Sequence, residues 1–471
     1  MNNRIQNLLK NSFVFMIGNF ASKILIFLLL PLYTNYLDPA EYGEVDIYIN
    51  ILAMLYSIVS LQSCESVFRF MVDAKTDEDK TSIISNALII SLFGIVVFSV
   101  GMIIFSAITG FEYALVFILY VSFNIFALFS QQAIRGLNYT VLYSTIGVIS
   151  TFVQIASNII FIIICKFGAV SLLWAHVVTY IFIFLSILIK CNFFRYFKLS
   201  AISFKRIKEH LAFNIPLLPN ALCIWGISSL GKYLLLFFYS TSEVGLLAFA
   251  TKFSQLIVAM NSILFMAWQQ SAISEYNSED KHEYATEVFN KFISLEVCAT
   301  AVALPLVKIM IFTIMGEDYR LAWIYVPVFF IGTILKFCGD FASMGFFGAK
   351  KTNTVFFASL ISVLFYLTVG YFGAREFYIF GVGISYAIAQ LVYFLIIQVK
   401  VKKYMYAKPL LRKLFIPLIT FGLSMVLYYI IDSIAILVTL SIVSIAVTLL
   451  ANKQFIGEIF SMLFGKLKRK N

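Results

Sequence analysis

The sequence predicts an all-α polytopic membrane protein of about fourteen transmembrane helices, and three observations carry that expectation. Of 471 residues, 61% are hydrophobic and only 13% charged, whereas a soluble domain is nearer half apolar and a quarter charged. The apolar excess runs from end to end in stretches of about 20 residues or more, the length a helix needs to cross the hydrocarbon of a bilayer. The loop Lys and Arg fall almost entirely in alternate gaps between these stretches, and the other gaps hold only Lys166, Arg320 and Arg375. Basic residues mark the cytoplasmic side, so this alternation places both termini in the cytoplasm and requires an even number of spans.

Taken in order, the first stretch is 12–36. It is too long for a secretory signal and lacks a small-residue cleavage site, so it reads as a span. Lys23 sits near its middle, with Asn19 one turn before and Ser22 beside it. No acidic residue lies at helical spacing to neutralise it. Pro31 then frees the carbonyl of Phe27. A helix with an uncompensated cation and a proline break belongs against protein or water, not lipid. Lys23 is therefore expected to line a polar cavity and to meet an anion there.

Span two is 43–71. Glu65 and Arg69 stand four apart and are expected to pair, and Asp46 is expected to cap the outer end or touch water. Spans three to six are 82–108, 112–134, 141–165 and 169–190, with a short gap at Gly110. Gln131 and Arg135 end span four on the cytoplasmic side and are candidates for an inner gate. A basic block from Lys190 to Lys208 follows. Spans seven to twelve are 211–239, 244–274, 285–315, 321–347, 353–373 and 378–398. A second basic block from Lys400 to Lys413 precedes spans thirteen and fourteen, 411–431 and 433–451, which turn at Asp432-Ser433. Both basic blocks are suited to lipid headgroups.

The blocks divide the chain into 1–208, 209–403 and 404–471, six spans plus six plus two. The two sixes resemble each other. Asn11 and Tyr36 match Asn214 and Tyr239, and Glu41-x-Gly43 matches Glu243-x-Gly245. Phe167-Gly168-Ala169-Val170 opens span six and Phe380-Gly381-Val382-Gly383 lies early in span twelve. Six spans per half keep the halves parallel, and such transporters place substrate between the halves near the midplane.

Five cations fall inside spans. Lys336 has Asp340 four residues on and neutralises itself. Lys308 lies toward the outer end of span nine, within snorkelling reach of the interface. Lys23, Lys232 and Lys252 lack an acidic neighbour at helical spacing and together would make a cationic cavity suited to phosphate or pyrophosphate. Snorkelling is an equal reading for Lys232 and Lys252. Glu296 in span nine also lacks a local partner. It is a candidate, with Asp340, for carrying a coupling proton or sodium ion; a salt bridge to a lysine on another helix is the structural alternative. Trp268, Gln269 and Gln270 lie together in span eight, and the two amides are candidates for sugar hydroxyls. The remaining tryptophans read as interfacial anchors.

Other classes are excluded. The net charge of +11 comes in short blocks that set orientation, which is not a nucleic-acid signature. The six cysteines are scattered without ligand spacing, and His176, His210 and His282 are far apart, so neither a metal site nor a disulfide framework is supported. No cofactor is implied beyond the coupling ion.

The opening IGNFASKILIFLLLPLYTNYLDPAEYGEVDIY, with RGLNY after span four and FGAVS at the start of span six, resembles the bacterial polysaccharide or O-antigen flippases. These belong to the multidrug/oligosaccharidyl-lipid/polysaccharide exporter (MOP) superfamily. The resemblance covers the chain throughout in length and plan. It implies two six-helix bundles around a central cavity, located in the bacterial inner membrane. They would move an undecaprenyl-pyrophosphate-linked oligosaccharide to the outer leaflet for O-antigen or capsule synthesis. The polysaccharide polymerase is then a natural partner. The family's habit of placing cations in the cavity suits Lys23. A multidrug or cation antiporter of the same superfamily is the alternative, disfavoured because the unpaired charges here are mostly lysines. A membrane-embedded glycan polymerase would need a substantial extramembrane loop with acids or bases, and the outside loops are short.

Overall fold

The computed structural model describes residues 27–191, 193–349, 351 and 353–453, and Pro39 opens the first long helix among them. Short helix α1 (Leu30–Tyr36) precedes it. Helix α2 (Pro39–Val59) starts at Asp38 because Asp38 Oδ1 accepts from the Glu41 N–H at 2.8 Å and Glu41 returns the bond at 3.3 Å. This reciprocal cap satisfies two orphan donors, and Pro39 at the first position loses nothing by lacking an N–H. Asp38, not Asp46, is thus the cap. Asp46 is buried, because it lies two turns inside the helix.

The chain breaks at Leu61 and Gln62, both with positive φ (46° and 56°), and resumes as α3 (Ser63–Asp73). Thr76 and Asp79 cap α4 (Asp77–Thr109), and Gly110, at φ 73°, ends it. Then come α5 (Ala114–Gly136), α6 (Thr140–Ile159, extended by a π turn over Ile160–Ile164) and α7 (Ser171–Lys190). After them α8 (Phe204–Asn214) and α9 (Leu217–Phe238) are separated at Pro216. Helix α10 (Thr241–Ser274) is capped by Ser240 and Glu243. The rest are α11 (Lys281–Thr313), α12 (Val326–Gly348), α13 (Asn353–Val401), α14 (Leu411–Ile430) and α15 (Ile434–Ala451).

This is a multi-pass, all-helical membrane protein. Among the described residues, 12 segments are long and apolar enough to cross a bilayer, so the expected fourteen are not reached. Most of the first expected span, 12–36, lies outside the described residues. Two others share α13. At 49 residues and 1.5 Å per residue, α13 would be about two and a half times the hydrocarbon thickness if straight. It is a hairpin. Tyr378 leaves helical geometry (φ 61°, ψ −143°), and Ser362 Oγ donates to the Ala389 carbonyl at 2.6 Å across 27 residues. Gly373 and Gly381 stand back to back, where a Cβ on either would strike the other's backbone. A tyrosine in this region is strained by about 1–3 kcal/mol, and its surroundings must hold it there.

The chain divides into two compact units, Met1–Ser229 and Leu230–Asn471. In the first, α5 packs on α3 and α7, and α8 lies on α3 and α4. Cys64, Val67, Ile84, Phe129, Ile134 and Ile187 form its buried centre. In the second, α12 lies between α10 and α13, while α11 carries α14 and α15. Pro305 cannot donate to the Ala301 carbonyl in α11, and Ser424 of α14 donates to it instead at 2.7 Å. That is how a proline is accommodated where no water is available.

Three local constructions recur in both units. The first is the reciprocal cap, Asp38 with Glu41 and Ser240 with Glu243. The second is a residue of positive φ beside the capping glutamate. A Cβ on Gly168 would sit 3.5 Å from Glu41 Oε1, and Tyr378 donates its hydroxyl to Glu243 Oε1 at 2.8 Å. Gly168 and Tyr378 therefore correspond, three residues earlier than the Phe380-Gly381 match in the sequence. The third is an asparagine clamp. Asn86 donates to Ala201 O (2.9 Å) and accepts from Ser203 N (2.8 Å). Asn290 donates to Lys408 O (2.9 Å) and accepts from Leu410 N (2.8 Å). Each clamp ties the basic loop back to the start of an earlier helix and pairs backbone groups that would otherwise be orphaned.

Candidate functional site

Polar groups buried in spanning helices are the natural site candidates, because hydrocarbon gives them no alternative partner. Lys23, Asn19 and Ser22 lie outside the described residues. Lys232 is buried in α9, immediately after Gly231, whose missing side chain lets Tyr366 and Val382 of α13 approach. Lys252 is half-buried on α10.

The best-defined polar constellation lies within the second unit. Glu296 of α11 is 3% exposed. It accepts a hydrogen bond from Asn261 Nδ2 of α10 at 2.8 Å. Among the described residues no salt bridge from Glu296 to a lysine on another helix forms; its Oε1 is met by an amide. Asn261 and Ser262 of α10 and Thr333, Lys336 and Asp340 of α12 line a cavity of about 140 Å³, room for about four waters. Lys336 Nζ and Asp340 Oδ2 are 2.6 Å apart, four residues along one helix face. The arrangement combines a buried carboxyl group met by an amide with a self-neutralised pair. Glu296 is joined to the cavity through Asn261, which lines it, so a proton or small cation at Glu296 need not disturb Asp340.

The other candidates do not gather around this cavity. Gln269 is half-buried, and the side chain of Gln270 is outside the described set. Their neighbour Trp268 is buried in packing, stacked on Phe341 with centroids 4.2 Å apart and donating to the Phe341 carbonyl at 3.0 Å. Gln131 is half-buried, and Arg135 is exposed with its guanidinium 4.3 Å over the Phe68 ring. Arg69 pairs with Asp73 at 2.5 Å rather than with Glu65. Both acids are four residues away, and the aspartate lies at the exposed end of α3. Lys308 does not snorkel; it is 1% exposed and bonds the end of α14.

Asn50 escaped the sequence reading. Its amide donates to Asp46 O (2.6 Å) and Oδ2 (3.1 Å), its Oδ1 accepts from Ser229 Oγ at 2.9 Å, and its carbonyl accepts from Trp225 Nε1 at 2.8 Å. Asn261 escaped too. The available signal was an asparagine inside an apolar run, which costs free energy unless it has a partner.

A family model described as polysaccharide biosynthesis protein matches residues 8–273, more than half of the chain. The chain belongs to the polysaccharide biosynthesis protein family. No curated protein matches it by sequence. In fold it is similar to the lipid II flippase MurJ in an inward closed conformation. That match has a TM-score of 0.73 and 15% identity, and covers 97% of this chain and 100% of that one. It is also similar to an inward-facing multidrug resistance MATE family transporter of the MOP superfamily, with a TM-score of 0.61 and 16% identity over 82% of this chain and 98% of that one. A Vibrio cholerae MATE transporter matches with a TM-score of 0.56 and 14% identity, over 84% of this chain and 96% of that one. At such identities the likeness is one of fold. This polysaccharide biosynthesis family member thus has the MOP-superfamily fold that its opening residues implied. Among its described residues no cluster of His, Cys, Asp or Glu could hold a metal ion.

Proposed function

We propose that this protein is a flippase that moves an undecaprenyl-pyrophosphate-linked oligosaccharide repeat unit from the cytoplasmic to the outer leaflet by alternating access. The product serves surface polysaccharide synthesis. One observation carries the reading: a chain of the polysaccharide biosynthesis family is matched over 97% of its length by a lipid II flippase. The MATE chains match 82–84%, leaving uncovered about the length of the last two spans.

In this reading Lys23, with Asn19 and Ser22, and Lys232 and Lys252 hold the pyrophosphate, and Gln269 and Gln270 meet sugar hydroxyls. Gln131 and Arg135 guard the cytoplasmic mouth, and the lipid tail stays in the bilayer. No covalent bond changes, so the reaction needs no catalytic constellation. Glu296 takes up a coupling proton or sodium ion, because an ionised carboxylate beside a neutral amide is costly in a low dielectric until a cation joins it. Asp340 is already matched by Lys336. Glu296→Gln is expected to leave the protein folded and to remove the dependence of transport on the ion gradient. Gradient dependence unchanged from wild type would return Glu296 to a structural role.

The direct test is glycan analysis in a host lacking both this protein and its polymerase. Restoring the protein should bring single-repeat glycan to the cell surface. Single repeats that reach the surface without it would overturn the proposal, and recovery of long chains on adding it would then identify a polymerase. The cation-antiporter reading predicts efflux of cationic dyes instead.

A further inference from the structure

Two spanning stretches of the first unit are interrupted, and the interrupted ends meet. One break is at Leu61 and Gln62, between α2 and α3. The other is at Pro216, between α8 and α9, just after Asn214 closes α8. Ser66, near the start of α3, and His210, on α8, join them through a 2.8 Å bond between Ser66 Oγ and His210 Nδ1. The Ser66 hydroxyl donates to the Ser63 carbonyl at 3.0 Å. Its one proton is therefore in use, and His210 Nδ1 must be the donor to Ser66. This leaves His210 Nε2 as a lone-pair acceptor.

Among the described residues, His210 Nε2 meets no hydrogen-bond partner, and neither do Nδ2 and Oδ1 of Asn214. His210 is 1% exposed and Asn214 0%. They stand four apart in α8, which places the two side chains side by side on one helix face. Phe70 packs edge-on against the His210 ring at 4.8 Å and keeps the wall apolar. The nearby charges, Arg206 and Glu209, are paired with each other at 2.9 Å on the exposed side of α8. Leaving one such group unpaired is unfavourable, and leaving three on one patch calls for a ligand.

The chemistry of that ligand follows from the atoms. Two acceptors and one donor without net charge suit hydroxyl groups, which both donate and accept. A phosphate would need more donors and positive charge, Ca²⁺ or Mg²⁺ would need several oxygen ligands, and a transition metal would need more ligands than one imidazole and one amide. We infer that Ser66, His210 and Asn214 form a socket for sugar hydroxyls of the lipid-linked oligosaccharide, resting on the flippase reading above. The socket is shut in this structure. The breaks at Leu61-Gln62 and Pro216 are where its walls can hinge, since interrupted helices are the usual makers of intramembrane binding sites.

The test uses full-length protein in lipid nanodiscs and two probes: undecaprenyl pyrophosphate bearing one N-acetylglucosamine, and bare undecaprenyl pyrophosphate. Asn214→Leu and His210→Phe should each bind the sugar-bearing lipid about tenfold more weakly, the loss of one good hydrogen bond, and the bare lipid as wild type does. The melting temperature of Asn214→Leu should hold or rise, because that variant removes only buried polar atoms that the folded protein leaves unpaired, whereas His210→Phe also gives up the bond to Ser66 and should melt somewhat lower. Unchanged affinity for the sugar-bearing lipid in both variants would overturn the socket. An equal loss for both lipids would overturn it as well, by marking the effect as structural. If wild-type protein binds neither lipid, the flippase reading itself fails and the socket falls with it.

Discussion

Lys23→Ala is expected to abolish surface export of the lipid-linked oligosaccharide while the protein still inserts at the wild-type level. Insertion should become easier, since a lysine in the middle of an apolar helix costs about 2.5–3.5 kcal/mol. Nothing from Phe13 to Leu37 carries a negative charge, so no local partner pays that cost back. A pyrophosphate can do so through charge-assisted hydrogen bonds of about 1.5–3 kcal/mol, which corresponds to roughly 10- to 150-fold in binding. Lys23→Arg keeps the charge and should keep a measurable part of the activity. Both variants are read by the single-repeat assay, with membrane abundance measured alongside. Wild-type export by the alanine variant would remove the cationic site from this helix.

Lys308→Ala is expected to destabilise the protein by about 3–5 kcal/mol, the scale for breaking a buried charged cluster from one side. The Lys308 ammonium has three donors, and all are engaged. It donates to the carbonyls of Tyr428 and Ile431, both at 2.8 Å, and to Asp432 Oδ1 at 3.1 Å. It also lies 4.1 Å over the Trp323 ring. The two carbonyls belong to the end of α14, where the helix presents its unpaired, partly negative oxygens. Truncation leaves the Tyr428 carbonyl buried and the Ile431 carbonyl half-buried without this donor. The melting temperature in detergent should fall by several degrees. Asp432→Asn should change it little, because Asp432 is 89% exposed and exposed pairs contribute about 0–1 kcal/mol. A wild-type melting temperature for Lys308→Ala would show that this clamp carries no weight.

The contrast between Lys336 and Lys308 shows which contacts a sequence reveals. Lys336 and Asp340 are four residues apart, and the pair seen in the structure is the pair the spacing implies. Lys308 finds its hydrogen-bond acceptors more than a hundred residues away, and no local pattern marks it. Arg69 had acids four residues away on both sides, and only the fold decided for Asp73. The asparagine clamps are equally silent in sequence. Asn86 and Asn290 each reach a loop more than a hundred residues on, and their likeness appears only when the bonds are compared.

By itself, the sequence determined the membrane class, the sites of most spans and the family. These depend on apolar length and on local capping patterns such as Asp38 with Glu41, all of which act over a few residues. The tertiary structure alone decided that α13 folds back at Tyr378, that Glu296 meets Asn261, and that His210 Nε2 and the Asn214 amide are buried without hydrogen-bond partners among the described residues. In a soluble protein the apolar stripe of a helix points to the core and makes such contacts partly legible. In a membrane protein the lipid-facing and buried faces are both apolar, so periodicity does not tell them apart. The inward face is then settled by packing and long-range hydrogen bonds.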